Sequence, residues 1–358
     1  MRIGIVTFHA ACNYGAVLQA YALQTYLQKM GHEPFFINYI HHGLIGERSP
    51  GRYLIKAATQ YFVRRQFSRF RATHLNISGA VYREYKQLQS APPAADVYVC
   101  GSDQIWNPYF CRYESDLHVS WLDFGDDRTR RVAYAASFGV CDLDSNVRAT
   151  WAAYAKRFHA VSVRERNGVG LMKALGHHDA VWVPDPTLLL DASEYGVVES
   201  DLAKQNTSYL FSYQLGLARK LASKVTSVAQ AVLGLPCRKC HMSRWGHAAL
   251  HVMGPGEWLL SLRRSSCVIT DSFHGLALSL VYRRPFIVLF STNAGRNTRI
   301  MSLLDVVGLR HRAVAENNGD EIARLCREQI DWERVDARLR LFRDTGCRFL
   351  HAALACRR

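Results

Sequence analysis

The chain opens with RIGIVTF, runs through AVLQAYALQTYLQKM and arrives at EPFFINY within its first forty residues. Strand, helix, strand is the order these stretches dictate. The flanking runs are short, apolar and rich in β-branched or aromatic residues, whereas Val17, Ala20, Leu23, Leu27 and Met30 recur at helical spacing. Gly31 follows where a helix end favours a left-handed residue. Such a βαβ unit makes its two strands parallel through a right-handed crossover. A parallel sheet is covered on both faces, so the rest of the chain must keep supplying buried strands and covering helices.

It does. Further strands are expected at 96–100, 131–137, 159–163 and 180–184, and again at 208–214, 267–270 and 285–290. Helices are expected at 218–232 and from Gly275, and helical sequence runs throughout 321–354. At 358 residues the chain exceeds what one core usually supports. The expectation is an N-terminal α/β domain over 1–195, a second α/β domain over 205–330, and a C-terminal helix over 331–358 packing back on the first. The Pro-, Asp- and Ser-rich stretch 184–206 carries the boundary. In such an architecture the default ligand site is the cleft between domains.

Charge narrows the company the protein keeps. There are 45 Lys and Arg against 30 Asp and Glu, a formal net charge of +15, which favours anionic partners. No zinc finger, repeat or basic-aromatic single-strand motif is present, so nucleic acid is not an expected partner. The ten cysteines are scattered, several within apolar runs, and read as reduced buried thiols. Cys237 and Cys240, followed by His241, resemble half a zinc site, but no second half accompanies them and no metal is expected. MRIGIVTFHA enters a strand directly, and no apolar run approaches the ~20 residues of a membrane span, so a cytoplasmic location is expected. Residues 52–71 form a basic amphipathic helix, with Leu54, Ala58, Tyr61 and Phe62 at helical spacing among six cations, a pattern suited to peripheral contact with anionic lipid. A surface helix packed on its own domain is the alternative.

Open parallel sheets bind ligands beyond the carboxyl ends of their strands, and those positions carry the polar candidates. After CVIT comes Asp271-Ser272-Phe273-His274-Gly275: Asp271 or Ser272 can cap the helix that follows, and His274 sits in its first turn, where free amides attract an anion. After the first strand, Asn13, Tyr14 and Gly15 precede a helix in the same way. After DVYVC come Gly101, Ser102 and Asp103, with Trp106 offering either a face for a sugar ring or core packing. Arg164 follows HAVSV and has the planar fork suited to carboxylate or phosphate, or to a surface ion pair with Glu165. Arg296 and Arg299 lie beyond PFIVLF in what reads as a loop. No GxxxxGK[ST], GxGxxG or GxSxG motif is present. One histidine and several arginines at a shared cleft fit a small, multiply charged anion.

The ordered series GIVTFHAACNYGAVLQAY, VCGSDQIWNP, YAASFG, VSVRERNG, VPDPTLLL, TDSFHGLALSLVYRRPFIVL and GRNTRIMSLLDVVGL resembles the polysaccharide pyruvyl transferase family from residue 1 to about 310. The resemblance implies two Rossmann-like domains similar to B-type glycosyltransferases. It also implies phosphoenolpyruvate as donor, a sugar or lipid-linked oligosaccharide as acceptor, a cyclic pyruvate ketal as product, and no further cofactor. Many members carry Arg-Leu-His where this chain has Ser272-Phe273-His274. The histidine is kept and the arginine is not, which shifts donor binding to Arg164, Arg296 and Arg299, with Ser272 and Gly275 beside them. His274 is the expected general acid, with Asp103 and then Asp271 the candidates for the base. Asn13, Tyr14, Gly15, Ser102 and Trp106 fall to the acceptor. A nucleotide-sugar glycosyltransferase and a catalytically silent glycan-binding protein are the alternatives.

Overall fold

The computed structural model describes residues 1–44, 54–200, 208–216, 218–241, 253–290 and 294–355. Two parallel sheets organise them. The first has seven strands: β1 (Arg2–Val6), β2 (Glu33–Tyr39), β3 (Ile77–Tyr82), β4 (Val97–Cys100), β5 (Arg130–Ala136), β6 (Ala160–Val163) and β7 (Val181–Trp182). Their order across the sheet is β3-β2-β1-β4-β5-β6-β7. The second contains β8 (Leu210–Gln214), β9 (Cys237–His241), β10 (Cys267–Thr270), β11 (Phe286–Leu289) and β12 (Ala313–Val314), ordered β12-β11-β10-β8-β9. Every pairing is parallel.

The central strands form for the reason their sequence gives: β4, β10 and β11 are buried at every position. The first helix runs Tyr14–Lys29, capped by the Asn13 side chain, which accepts from the Ala16 amide at 3.2 Å. It ends where Gly31 takes φ +81°, a conformation that costs a side chain roughly 1 kcal/mol or more.

Three strands were not expected from the sequence. β3 carries Ser78 and Gly79 and is largely exposed, so it lacks the apolar run that marked the others. β9 is the CRKCH stretch. In an extended strand, residues three apart face opposite sides, and Cys240 joins the core beneath Tyr14 while Cys237 packs against the cluster around Leu210 and Ala222. The two thiols therefore do not converge as half a zinc site would require. β12 is only two residues long. The cysteines are mixed in environment, Cys100 and Cys267 being buried and Cys141 exposed.

The C-terminal segment is two helices rather than one continuous helix, Gly319–Arg327 and Trp332–Leu354. The break falls where Asp331 accepts from the Arg334 amide at 3.0 Å and starts the second as its N-cap. That long helix crosses both lobes. Phe342 packs on Trp182 at 4.8 Å between centroids, and Arg343 donates to the Leu188 carbonyl at 2.7 Å. On the other side Asp336 pairs with Arg283.

The lobes also share a core. Tyr14 stacks on Trp258 at 5.2 Å and donates its hydroxyl to the Met253 carbonyl at 2.9 Å. Among the described residues, no helix is long and apolar enough to cross a membrane.

Candidate active site

In each sheet the strand order reverses once near the middle, and a crevice opens at the carboxyl ends of the strands on either side. In the first sheet the reversal lies between β1 and β4, whose following segments are 7–13 and 101–106. In the second it lies between β8 and β10, and Asp271 bridges the loops that follow by accepting from the Leu215 amide at 2.6 Å. Residues that follow strands of both sheets meet, His274 after β10 lying against Arg164 after β6.

His274 occupies the first turn of the helix Phe273–Val281. Ser272 is its N-cap and accepts from the Gly275 amide at 3.3 Å. Its imidazole is 8% exposed and reaches across to the first lobe. Its Nε2 lies 3.3 Å from Arg164 Nη1 and 3.6 Å from Asp185 Oδ2. Arg164 can only donate, so Nε2 accepts that contact when it carries no proton, whereas an Nε2–H points to Asp185. The opposite edge of the ring abuts Gly15 so closely that any Cβ at residue 15 would overlap it. Gly15 thus serves as a slot for the imidazole rather than as an amide facing a ligand.

Arg164 follows β6 and is 2% exposed. It donates from Nη1 to Asp185 at 2.8 Å and from Nη2 to Asp103 at 3.4 Å, and its guanidinium lies 4.7 Å over the Phe273 ring. Glu165, its sequence neighbour, is fully buried and accepts from the Phe138 and Gly139 amides at 2.7 and 3.1 Å, so the two do not form a surface ion pair.

Asp185 lies beneath the junction, fully buried. It accepts from Arg164, from the Ser102 hydroxyl at 2.7 Å, and from the Thr187 amide and hydroxyl at 2.9 and 2.6 Å. Burial by itself would raise its pKa. The adjoining His274, Arg164 and Thr187 outweigh that and hold the carboxyl well below the usual carboxylate range. Burial likewise opposes the charge on Arg164, but Asp185, Asp103 and Glu165 reverse the effect and push its pKa up. The guanidinium and the Asp185 carboxylate therefore both stay ionised in a water-poor setting.

Asp103 has φ +76°, an uncommon conformation for a non-glycine residue. Its carboxylate accepts from the Gln104 amide at 2.9 Å, and its carbonyl accepts from the Ser137 amide at 3.0 Å, an arrangement that holds it in that conformation. Backbone of this kind is concentrated at functional sites.

The structure thus brings His274, Arg164 and Asp103 together, on a base that sequence reasoning missed. Asp185 follows an apolar strand as Asp103 and Asp271 do, and that shared position was the available signal; the surrounding prolines read instead as a domain boundary. The other described candidates have partners within the fold. Trp106 is fully buried, stacked on Trp121 at 4.4 Å and donating to the Ser120 carbonyl, so no face is left for a sugar ring. Tyr14 is spent on holding the lobes together, and Ser102 on Asp185. Asn13 acts as a helix cap, and Ser272 and Gly275 satisfy each other. Arg299 is not on a loop: it is buried within the helix Ala294–Val307, which touches the first lobe where Ser302 accepts from the Arg166 amide at 3.3 Å. The side chain of Arg296 lies outside the described residues.

Two Rossmann-like domains, joined at the carboxyl ends of their sheets by a buried histidine–arginine contact, define a two-domain α/β protein of the B-type glycosyltransferase fold. The model of the polysaccharide pyruvyl transferase family matches residues 13–291, and the chain belongs to that family. No protein of curated function matches it. Among solved structures it is similar in fold to a putative UDP-N-acetylglucosamine 2-epimerase from Listeria monocytogenes, at 11% identity and TM-score 0.52, covering 98% of this chain and 94% of that one. It is also similar to the UDP-N-acetylglucosamine 2-epimerase of Rickettsia bellii, at 9% identity and TM-score 0.51, covering 98% and 96%.

Proposed function

We propose that the protein transfers the pyruvyl group of phosphoenolpyruvate to two hydroxyls of one sugar residue in a bacterial surface glycan or its lipid-linked precursor, releasing phosphate. The observation that carries this reading is the Arg164–His274 contact across the lobes, with Asp103 on the other arm of the same guanidinium. A guanidinium with two carboxylates beside it is held in one orientation, and its Nε, buried without a hydrogen-bond partner, is the donor left for an anionic ligand.

In this reading His274 gives a proton to the methylene carbon of the donor, which leaves the adjacent carbon electrophilic. The first hydroxyl oxygen bonds that carbon while its proton passes to Asp103. The second hydroxyl then bonds the same carbon as the bond to phosphate breaks, and its proton departs with the phosphate. The ketal ring closes, and the proton held by Asp103 returns to His274 by way of solvent, so that atoms and charge balance and the enzyme is reset. Asp103 is favoured over Asp271 as the base because Asp271 already braces the loops of the second lobe.

Binding tests the donor directly. Titration calorimetry is expected to detect phosphoenolpyruvate and to find no comparable affinity for UDP, with Arg164→Met weakening the former at least ~10-fold, as expected for loss of a charge-assisted contact. Affinity for UDP in the absence of any for phosphoenolpyruvate would favour a nucleotide-sugar transferase instead.

A further inference from the structure

The helix Leu54–His74 has two unlike faces. Phe67 and Phe70 are buried, and the Phe67 ring lies 5.2 Å from that of Tyr14, whose neighbour Gly15 abuts the His274 imidazole. The same helix is tied to the loop after β1 by Arg71, which donates to the Ala10 carbonyl at 3.3 Å. One face is therefore anchored next to the candidate active site. The other face points to solvent and carries Arg64, Arg65 and Arg69 together with two large aromatics, Tyr61 at 61% exposure and Phe62 at 53%. Phe62, Arg65, Gln66 and Arg69 line a shallow groove of about 450 Å³.

The sequence expectation placed Tyr61 and Phe62 on the apolar face of this helix. In the structure Phe67 and Phe70 fill that place, leaving Tyr61 and Phe62 outside among the arginines. Exposed aromatic area costs solubility unless something covers it, and the charge around it says what kind of surface does. From residue 48 to residue 83 there are eight Lys and Arg and no Asp or Glu at all.

We propose that this face lies on the anionic surface of a lipid bilayer, with Tyr61 and Phe62 at headgroup depth and Arg64, Arg65 and Arg69 against the lipid phosphates. Aromatic side chains partition to that interface, and arginines beside them meet its negative potential. The helix has no acid to repel the surface and spans no bilayer, so the contact is peripheral. It also explains the position of the helix. Through Phe67, Tyr14 and Gly15, a membrane on the outer face sets the cleft within one helix thickness of the leaflet, where the sugar of a lipid-linked precursor resides. That last link rests on the pyruvyl-transfer reading; the docking itself does not.

Vesicle flotation tests the docking without any substrate. The full chain is expected to float with phosphatidylcholine vesicles containing phosphatidylglycerol and to stay in the dense fraction with phosphatidylcholine alone. Each cation near an anionic leaflet contributes roughly a fivefold gain in partitioning, so Arg65→Glu/Arg69→Glu should reduce binding by ~25-fold or more. Tyr61→Ser/Phe62→Ser should reduce it ~10-fold from lost apolar burial. All four side chains are exposed, so the variants should keep the wild-type unfolding transition, which circular dichroism checks. Equal flotation with both vesicle types, flotation that survives the arginine reversals, or displacement from anionic vesicles by an oligonucleotide that binds more tightly would overturn the proposal. A result of that kind would leave the calorimetric test of the donor untouched, and failure of the donor test would leave flotation untouched.

Discussion

Alanine in place of His274 is expected to lower turnover by roughly 10²–10⁴-fold, the usual value of general acid help, while the KM for phosphoenolpyruvate changes far less. The split follows from the geometry. In the proposed reading donor charge falls to Arg164, whose orientation is fixed by Asp185 and Asp103 and does not depend on the imidazole. The imidazole itself is held edge-on between Gly15 and Arg164, a site that fits one ring in one orientation. Gln at the same position would retain a polar contact to Arg164 but supply no comparable acid, so it should behave like alanine in kcat. Steady-state kinetics of phosphate release separates the two parameters. A His274→Ala enzyme with wild-type kcat would remove the general acid from this account.

The second large effect is on stability. Removal of Asp185 as alanine is expected to cost about 3–5 kcal/mol, because it leaves the Arg164 guanidinium buried without its closest counter-charge. Both side chains of the pair are fully buried, so solvent offers no relief. Chemical denaturation should show the loss as a lower midpoint at unchanged slope. The double variant Arg164→Met/Asp185→Leu should be less destabilised than the sum of the two single changes, since no charge is then stranded. Additivity within experimental error would show that the pair contributes no coupling. The carboxyl of Asp185 is depressed in the folded protein, so its contribution is fully present above the ordinary unfolded value of about 4 and is lost as the pH falls below it. Wild-type stability should therefore decline in acid more than that of the double variant.

Much of the fold was legible because buried parallel strands advertise themselves: VYVC, CVIT and FIVL carry no polar interruption. Edge strands carry no such signature, which is why the largely exposed β3 and the charged β9 read as loop and metal fragment. The stretch around Arg299 was misread because Gly295 and Asn297 look like loop residues, whereas Ile300, Leu303, Leu304 and Val307 bury one face and carry the helix through them. Within the site, His274, Asp103 and Arg164 were legible as polar residues at strand ends. What they bind to each other was not, because their partners lie 61 to 110 residues away in sequence. Trp106 shows the same limit from the other side: an indole next to a site residue could face ligand or core, and only the Trp121 stack decides.

The most direct measurement is incubation of the protein with phosphoenolpyruvate and a panel of sugars bearing neighbouring hydroxyls, following phosphate and product mass together. The account predicts phosphate released in step with a pyruvylated sugar, each requiring both substrates. Absence of any pyruvylated product across the panel, with glycoside formed when a nucleotide sugar replaces phosphoenolpyruvate, would contradict it.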